Sequence, residues 1–122
     1  LYKAMWDRYN LGYIRDKDLA YVIYDYMINS YAGTAAKRVQ EILNTRGAAL
    51  KVDGHIGEKS LNAIHDSDPK WLIDEILKNR HHHYREQVRK DSTQHQFYAG
   101  WMNRLNKIAE TVGSDLYFSP QY

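Results

Sequence analysis

Residues 51–64 read KVDGHIGEKSLNAI and combine two closely spaced glycines with the start of an amphipathic run. The Asp53-Gly54 pair favours a tight turn, because glycine accepts a positive φ and aspartate hydrogen-bonds its own backbone. Gly57 then lets the chain turn into the helix that follows. The stretch therefore predicts a rigid corner between two helices. Val52 and Ile56 flank the turn and are expected to pin it to the core, and the helix that follows carries Leu61 and Ile64.

Two features of the sequence invite a metal interpretation. A calcium loop takes oxygen ligands from several alternate positions, whereas Asp53 stands alone in the turn. The run of three histidines, His81 to His83, cannot converge on one ion, because consecutive helical positions point about 100° apart. We therefore expect neither a metal nor a cofactor. His81 is expected to be partly buried, and His82 and His83 are expected at the surface.

The segment before the corner has helical periodicity. Asp16 or Asp18 can cap a helix that ends near Ser30, and a second helix is expected over residues 34–43. The spacing of the apolar residues places them on one face of each helix. The predicted core residues are Leu19, Val22, Ile23, Tyr26 and Met27 on the first helix and Ala35, Val39, Ile42 and Leu43 on the second.

Two further helices are predicted after the corner. Pro69 is expected at the first helical position behind the cap residue Asp68, and Gly113 is placed to end the last helix. Gly100, beside the apolar stripe, is expected to admit a neighbouring helix. The two stripes comprise Ile73, Leu77, His81, Tyr84 and Val88, then Phe97, Trp101, Leu105, Ile108 and Val112. The sequence therefore predicts an all-α protein with five or six helices.

Length and composition exclude several classes of protein. A chain of 122 residues fits one domain, and its formal charge of +2 is too small to indicate nucleic-acid binding. No apolar run reaches the roughly 18–20 residues of a membrane span. The chain contains no cysteine, so disulfides are not expected. Because it begins at Leu1 inside a predicted helix, we expect a fragment whose front part is missing, which leaves an export signal open.

The first 31 residues contain candidates for sugar binding. Seven of the eleven tyrosines lie there, and such rings stack on flat apolar faces, although packing is the alternative explanation. Tyr21, Asp25 and Asn29 recur every four residues, so they share one helix face. A phenol, an acid and an amide on one face suit hydrogen bonds to sugar hydroxyls. The alternative is a polar network that ties this helix to its neighbours.

Three motifs, in order, resemble a known family. The segment AAKRVQEIL followed by VDGHIGEKSLNAI is similar to the helix, Asp-Gly-x-x-Gly corner and helix of peptidoglycan-binding domains. FYAGWMNRLNKIAE resembles the Gly-Trp-x-Asn-Arg segment of the type-3 peptidoglycan-binding domain. LYKAMWDRYN and VIYDYMINSYAGTA resemble the end of the catalytic part of glycoside hydrolase family 108, a lysozyme-like muramidase family formerly labelled secretion activators.

The resemblance implies a compact, lysozyme-superfamily-like helical fold. Residues 1–30 would be the end of the catalytic region, and residues 31–122 a peptidoglycan-binding domain packed with it as one globular unit. The parent activity is hydrolysis of the β-1,4 bond between N-acetylmuramic acid and N-acetylglucosamine. The implied partner is the peptidoglycan glycan strand in a bacterial or phage system, located at the cell wall, in the periplasm or outside the cell. The oligomeric state is left open.

Two departures from the family bear on catalysis. The family's presumed catalytic Glu lies in a Glu-Gly-Gly-Tyr motif that these 122 residues do not contain, so whether the chain is itself an enzyme is left open. Tyr31-Ala32-Gly33 stands where the family has Gly directly after Asn-Ser. The alternatives to a hydrolase part are a non-catalytic peptidoglycan-binding module and a helical interaction domain.

The Gly-Trp-x-Asn-Arg segment carries the last three candidate residues. Trp101 belongs to the apolar stripe and is expected in the core. Asn103 and Arg104 face away from that stripe, and they either bind a ligand or tie the last helix to the Asp53 corner. Together with Asp53, Gly54 and Gly57, these three residues are assigned a structural role.

Overall fold

The protein, described by a computed structural model over residues 2–122, is built of α-helices. Within those residues there are six α-helices, two short 3₁₀ segments and no β-strand. The helices are α1 (Tyr2–Arg8), α2 (Lys17–Ile28), α3 (Ala32–Asn44), α4 (Glu58–Asp66), α5 (Pro69–Lys90) and α6 (Tyr98–Thr111), and the 3₁₀ segments are Leu11–Tyr13 and Ser92–Phe97. The prediction of an all-α fold with five or six helices is confirmed.

Packing divides the chain into two units. The first ends at Ile76 and the second comprises Leu77–Tyr122, so the boundary falls within α5. The predicted division at residue 30, between a catalytic end and a binding domain, concerns function and stays a prediction. No helix among residues 2–122 combines the length and the apolar character needed to cross a membrane.

The core of the first unit forms where α2 packs on α3. The Asp16 carboxylate caps α2 by accepting a hydrogen bond from the Leu19 amide at 2.9 Å. All nine core residues predicted for α2 and α3 are buried. Because burial of an aliphatic side chain contributes about 1.5–3 kcal/mol, this apolar interface holds the two helices together. The corner at residues 51–64 is hydrogen-bonded to α3 through Gln40.

The second unit buries a different face of α6 from the predicted one. Tyr98, Met102, Leu105, Ile108 and Ala109 are buried, whereas Phe97 is 48% exposed and Trp101 and Val112 are half-buried. The predicted stripe is therefore right at Leu105 and Ile108, wrong at Phe97, and only partly right at Trp101 and Val112. The physical reason is that Phe97 ends a 3₁₀ segment, whose three residues per turn shift the phase relative to an α-helix.

The predictions for Gly113, just after α6, and for Gly100, within α6, have opposite outcomes. Gly113, at a φ of 74°, ends the helix as predicted, and the next amide, that of Ser114, donates to Ala109 O at 2.8 Å in a Schellman motif. Gly100 is exposed. Beyond its own helix backbone and chain neighbours, no atom of the described residues lies within 4 Å of a Cβ built there. The expectation that Gly100 admits a neighbouring helix is wrong.

Candidate functional site

The Asp53-Gly54 turn has the predicted backbone conformation. Gly54 has a φ of 78°, and a Cβ there would lie 3.1 Å from Gly33 O. Gly57 differs, because its φ is −103° and it is the N-cap residue of α4. A Cβ at Gly57 would lie 2.8 Å from His55 Nε2. The first glycine is therefore required by φ and by close backbone approach, whereas a side chain at the second would only have to displace the exposed imidazole.

The buried amide of Gln40, on α3, organises this turn. Gln40 Oε1 accepts hydrogen bonds from the amides of Asp53 and Gly54 at 3.1 and 2.9 Å. Its Nε2 donates to Asp53 Oδ1 at 3.1 Å, to His55 O at 2.9 Å and to Ser60 Oγ at 3.2 Å. One side chain thus satisfies both backbone and side-chain groups of the corner.

Gln40 is absent from the sequence prediction, although the sequence contains a signal for it. It lies one turn after Ala36 and one turn before Leu43, within the apolar face of α3. A polar residue at such a position must find a partner, because an unsatisfied buried amide costs about 1–3 kcal/mol. A buried glutamine within the apolar face of α3 therefore indicates that its amide has a polar partner, but the sequence does not show which residue that partner is.

The Asp53 carboxylate is held in its ionised form. The hydrogen bond from the His55 amide, 2.9 Å from Asp53 Oδ1, and the Gln40 side chain lower the pKa of Asp53 below its ordinary value of 3.8. The side chain is exposed, so the charge faces solvent at the surface of the corner. A lowered pKa suits a structural acceptor and is the opposite of what a proton donor needs.

Ile56 and Val52, the apolar residues on the two sides of the turn, differ in burial. Ile56 is buried as predicted, and its carbonyl accepts a hydrogen bond from Asn10 Nδ2 at 2.7 Å. Val52 is 40% exposed, so the prediction that it pins the turn to the core is wrong. The Gln40 hydrogen bonds hold that side of the turn instead.

A second shaped loop, residues 45–50, lies before the corner. Asn44 closes it in both directions, since Nδ2 donates to Leu50 O at 2.9 Å and Oδ1 accepts from Leu50 N at 2.7 Å. Gly47 and Ala49 have φ values of 85° and 56°. Positive φ at alanine is uncommon and is maintained only where surrounding contacts enforce it.

Three open clefts follow one another along the first unit, and we call them together the corner groove. The first, about 740 Å³, lies between loop 45–50, α4 and Trp71. It shares Leu50 and Lys59 with a second cleft of about 450 Å³. The second shares Asp53 and His55 with a third cleft of about 290 Å³, which reaches Tyr9. The corner therefore lies in the middle of an extended depression.

The corner groove is balanced in charge and has an aromatic ring at each end. The guanidinium of Arg46 lies 4.3 Å from the ring centroid of Trp71, which restricts the motion of both side chains. Charges of the two signs are equal in number among the lining residues. The basic lining residues are Arg8, Arg46, Lys51 and Lys59, and the acidic ones are Asp53, Glu58, Asp66 and Asp68.

The structure does not expose Tyr21, Asp25 and Asn29 equally. Tyr21 is 40% exposed, whereas Asp25 is 1% exposed. Asn29 is exposed and ends α2, and its Nδ2 donates to Asp25 O at 2.9 Å. All three lie on α2, but the carboxylate of Asp25 does not join the other two at the surface. Their role in sugar binding stays a prediction.

The Gly-Trp-x-Asn-Arg segment of the second unit is partly at the surface, although its middle residue, Met102, is buried. Asn103 and Arg104 are exposed. Trp101 is half-buried rather than in the core, and it stacks on Tyr84 with ring centroids 4.7 Å apart. Trp101 therefore lies at the edge of the core, and its assigned structural role stays a prediction.

The three consecutive histidines differ in how far they are buried. His81 is half-buried as predicted, beside the Phe118 ring at 5.0 Å, and His82 is exposed. His83 is half-buried, with its ring 5.9 Å from that of Tyr84, so its predicted surface position is only partly right. Among residues 2–122, no three His, Cys, Asp or Glu side chains are grouped so as to hold a metal ion.

The helices and the corner groove define an all-helical protein with an extended polar surface depression. A family model described as "Predicted Peptidoglycan domain" matches residues 34–106, more than half of the chain, and the chain belongs to this family. Neither the curated proteins nor the solved structures contain a significant match. The family connects the chain with peptidoglycan as a partner and with a cell-wall-associated location, extracellular or periplasmic.

Proposed function

We propose that this chain is the substrate-binding part of a peptidoglycan hydrolase of the N-acetylmuramidase type, from a bacterium or a phage. The corner groove holds the glycan strand. The observation that carries the proposal is the position of the groove. Most of its lining residues, from Gln40 to Trp71, fall in the region from residue 34 to residue 106 that matches the family.

The form of the groove supports a polymeric sugar as its ligand. A glycan strand is extended and its sugar backbone is uncharged, which agrees with a series of open clefts and equal numbers of acidic and basic residues. Trp71 and Tyr9 lie at the two ends, and a sugar ring can stack on the face of each ring that is opposite the neighbouring arginine. The pre-formed turn and loop 45–50 reduce the entropy that binding would otherwise lose.

The muramidase part of the proposal depends on the resemblance to glycoside hydrolase family 108. Glycoside hydrolysis requires a proton donor with a raised pKa, and the pKa of Asp53 is lowered. Asp25 is buried and cannot touch a scissile oxygen in this conformation. We therefore assign binding, and not acid catalysis, to residues 1–122. The competing proposal is a non-catalytic peptidoglycan-binding module.

Binding to insoluble peptidoglycan tests the groove. Asn62 lines the first cleft from the exposed side of α4, so Asn62→Leu removes an amide from the groove without disturbing the core. Loss of a polar contact of about 1–3 kcal/mol predicts roughly tenfold weaker binding or more. The matched control is His82→Leu, at an exposed helical position outside the groove, and it should bind as the wild type does.

Salt dependence adds a second readout to the same experiment. Contacts to an uncharged strand should survive 0.15 M salt, at which exposed charges more than about 8 Å apart are screened. Retention that vanishes with salt, or that fails in His82→Leu and not in Asn62→Leu, would contradict binding in the groove. A basic patch binding acidic stem peptides would then replace it. Tyr21→Ala, in the same assay, tests the α2 surface.

A further inference from the structure

No contact among residues 2–122 explains why position 100 is a glycine. It lies in the first turn of α6 and is exposed, and its φ is outside the left-handed region. Apart from its own helix backbone and chain neighbours, nothing in residues 2–122 comes within 4 Å of a Cβ built at this position. Glycine is a poorer helix former than alanine, by up to about 1 kcal/mol. Fold stability therefore favours a side chain at position 100, and a reason for its absence must be sought in an external contact.

The surroundings of Gly100 offer flat aromatic rings. Phe97, one turn earlier, is 48% exposed, and its ring centroid lies 5.9 Å from that of Trp101. Trp101 stacks in turn on the buried Tyr84 at 4.7 Å and an interplanar angle of 16°. This stack fixes the Trp101 ring before any ligand arrives, so less entropy is lost on binding.

The two rings and the glycine lie close together at the start of α6. Phe97 lies three residues before Gly100 and four before Trp101, so these positions neighbour one another on the helix surface. We call Phe97, Gly100 and Trp101 together the aromatic platform. All three lie within the region that matches the family.

We propose that the aromatic platform is a second peptidoglycan contact, at which one N-acetylated pyranose ring lies against Phe97 and Trp101. The missing side chain at position 100 lets that ring approach the helix backbone. This inference rests on the proposed function, since it takes the ligand from the same polymer. A pyranose has a flat apolar face, which matches the flat apolar faces of the two aromatic rings.

The experiment substitutes the glycine. Gly100→Gln should keep or raise the melting temperature, because glutamine is a better helix former than glycine. Its side chain covers the platform, so affinity for a soluble N-acetylglucosamine tetramer and for insoluble peptidoglycan should fall by about tenfold. The matched control is Ala99→Gln, one residue earlier on the same helix and also exposed, which should leave affinity unchanged. Phe97→Leu should weaken binding as well.

The outcomes separate this inference from the proposed function. If Asn62→Leu weakens binding and Gly100→Gln does not, the platform is not a sugar site, while the groove stands. If Gly100→Gln weakens binding and Asn62→Leu does not, the platform stands and the groove is wrong. Equal losses in Gly100→Gln and Ala99→Gln overturn the inference, and a wild type that binds neither probe overturns both proposals. Sedimentation showing self-association that Gly100→Gln abolishes, with unchanged sugar affinity, would assign the platform to a second copy.

Discussion

At the scale of single residues, the Asp53 carboxylate has the clearest effect on the corner. It accepts from the His55 amide and from Gln40 Nε2, and both contacts favour its charged form. The charge is thus coupled to a backbone turn that also borders two of the three clefts. Its protonation should loosen the corner and the groove together.

The lowered pKa of Asp53 predicts a pH dependence of stability. Because the folded pKa lies below the unfolded value, the carboxylate stabilises the fold fully above the unfolded pKa, near 3.8. This contribution is lost as the pH falls through the folded pKa. Urea unfolding at about pH 6 and about pH 3 measures it, with Asp53→Asn as the reference. The free-energy difference between wild type and variant should shrink at the lower pH, and a constant difference would contradict the assignment.

Gln40 shows the limit of sequence reasoning at this scale. The Asp-Gly turn and the positive φ of Gly54 follow from the preferences of those two residues, and the structure confirms them. Gln40, by contrast, is thirteen residues before Asp53 and acts through the packing of α3 against the turn. A periodic pattern assigns a residue to a face, but it does not say which distant backbone amides that face will meet. The same holds for Asn44 and its partner Leu50.

At the scale of elements, α2 and α3 were predictable because apolar residues recur at helical spacing on one face of each helix. The predicted helix over residues 34–43 corresponds to Ala32–Asn44, and the predicted cap residue Asp16 does cap α2. The buried face of α6 was not predictable from period alone. A 3₁₀ segment precedes it, and the sequence pattern does not reveal where three residues per turn give way to 3.6.

The two glycines of the corner should respond differently to substitution. Gly54→Ala should destabilise the fold by more than about 1 kcal/mol, because alanine at positive φ is strained and its Cβ would meet Gly33 O. Gly57→Ala should cost less, since its φ is ordinary and the obstructing atom is the end of the exposed His55 side chain. Thermal unfolding of both variants gives the comparison.

A His55→Ala background provides the control for this pair. Removal of the imidazole should reduce the effect of Gly57→Ala and leave that of Gly54→Ala unchanged, because the latter arises from backbone contacts. Unchanged melting temperatures for both single variants would mean that the corner is not rigid. The proposed pre-formed groove would then lose its physical basis.

At the scale of the whole molecule, the family match extends across both packing units, from residue 34 to residue 106. The corner groove belongs to the first unit and the aromatic platform to the second. Sequence motifs located the corner and the Gly-Trp-x-Asn-Arg segment, but the clefts and the exposure of Phe97 depend on tertiary packing and could not be read from spacing. The α2 residues Tyr21, Asp25 and Asn29 lie outside the matched region.

The division between binding and catalysis leads to the last prediction, which concerns residues 1–122 as a whole. Incubated with purified peptidoglycan, this chain should release no reducing ends above a buffer control. A positioned general acid contributes about 10²–10⁴-fold to such a reaction, and neither the ionised Asp53 nor the buried Asp25 supplies one. The same preparation should be retained on the insoluble polymer, which shows that it is folded and competent to bind. Release of reducing ends that disappears in Asp25→Asn or Asp53→Asn would instead place the proton donor within this chain.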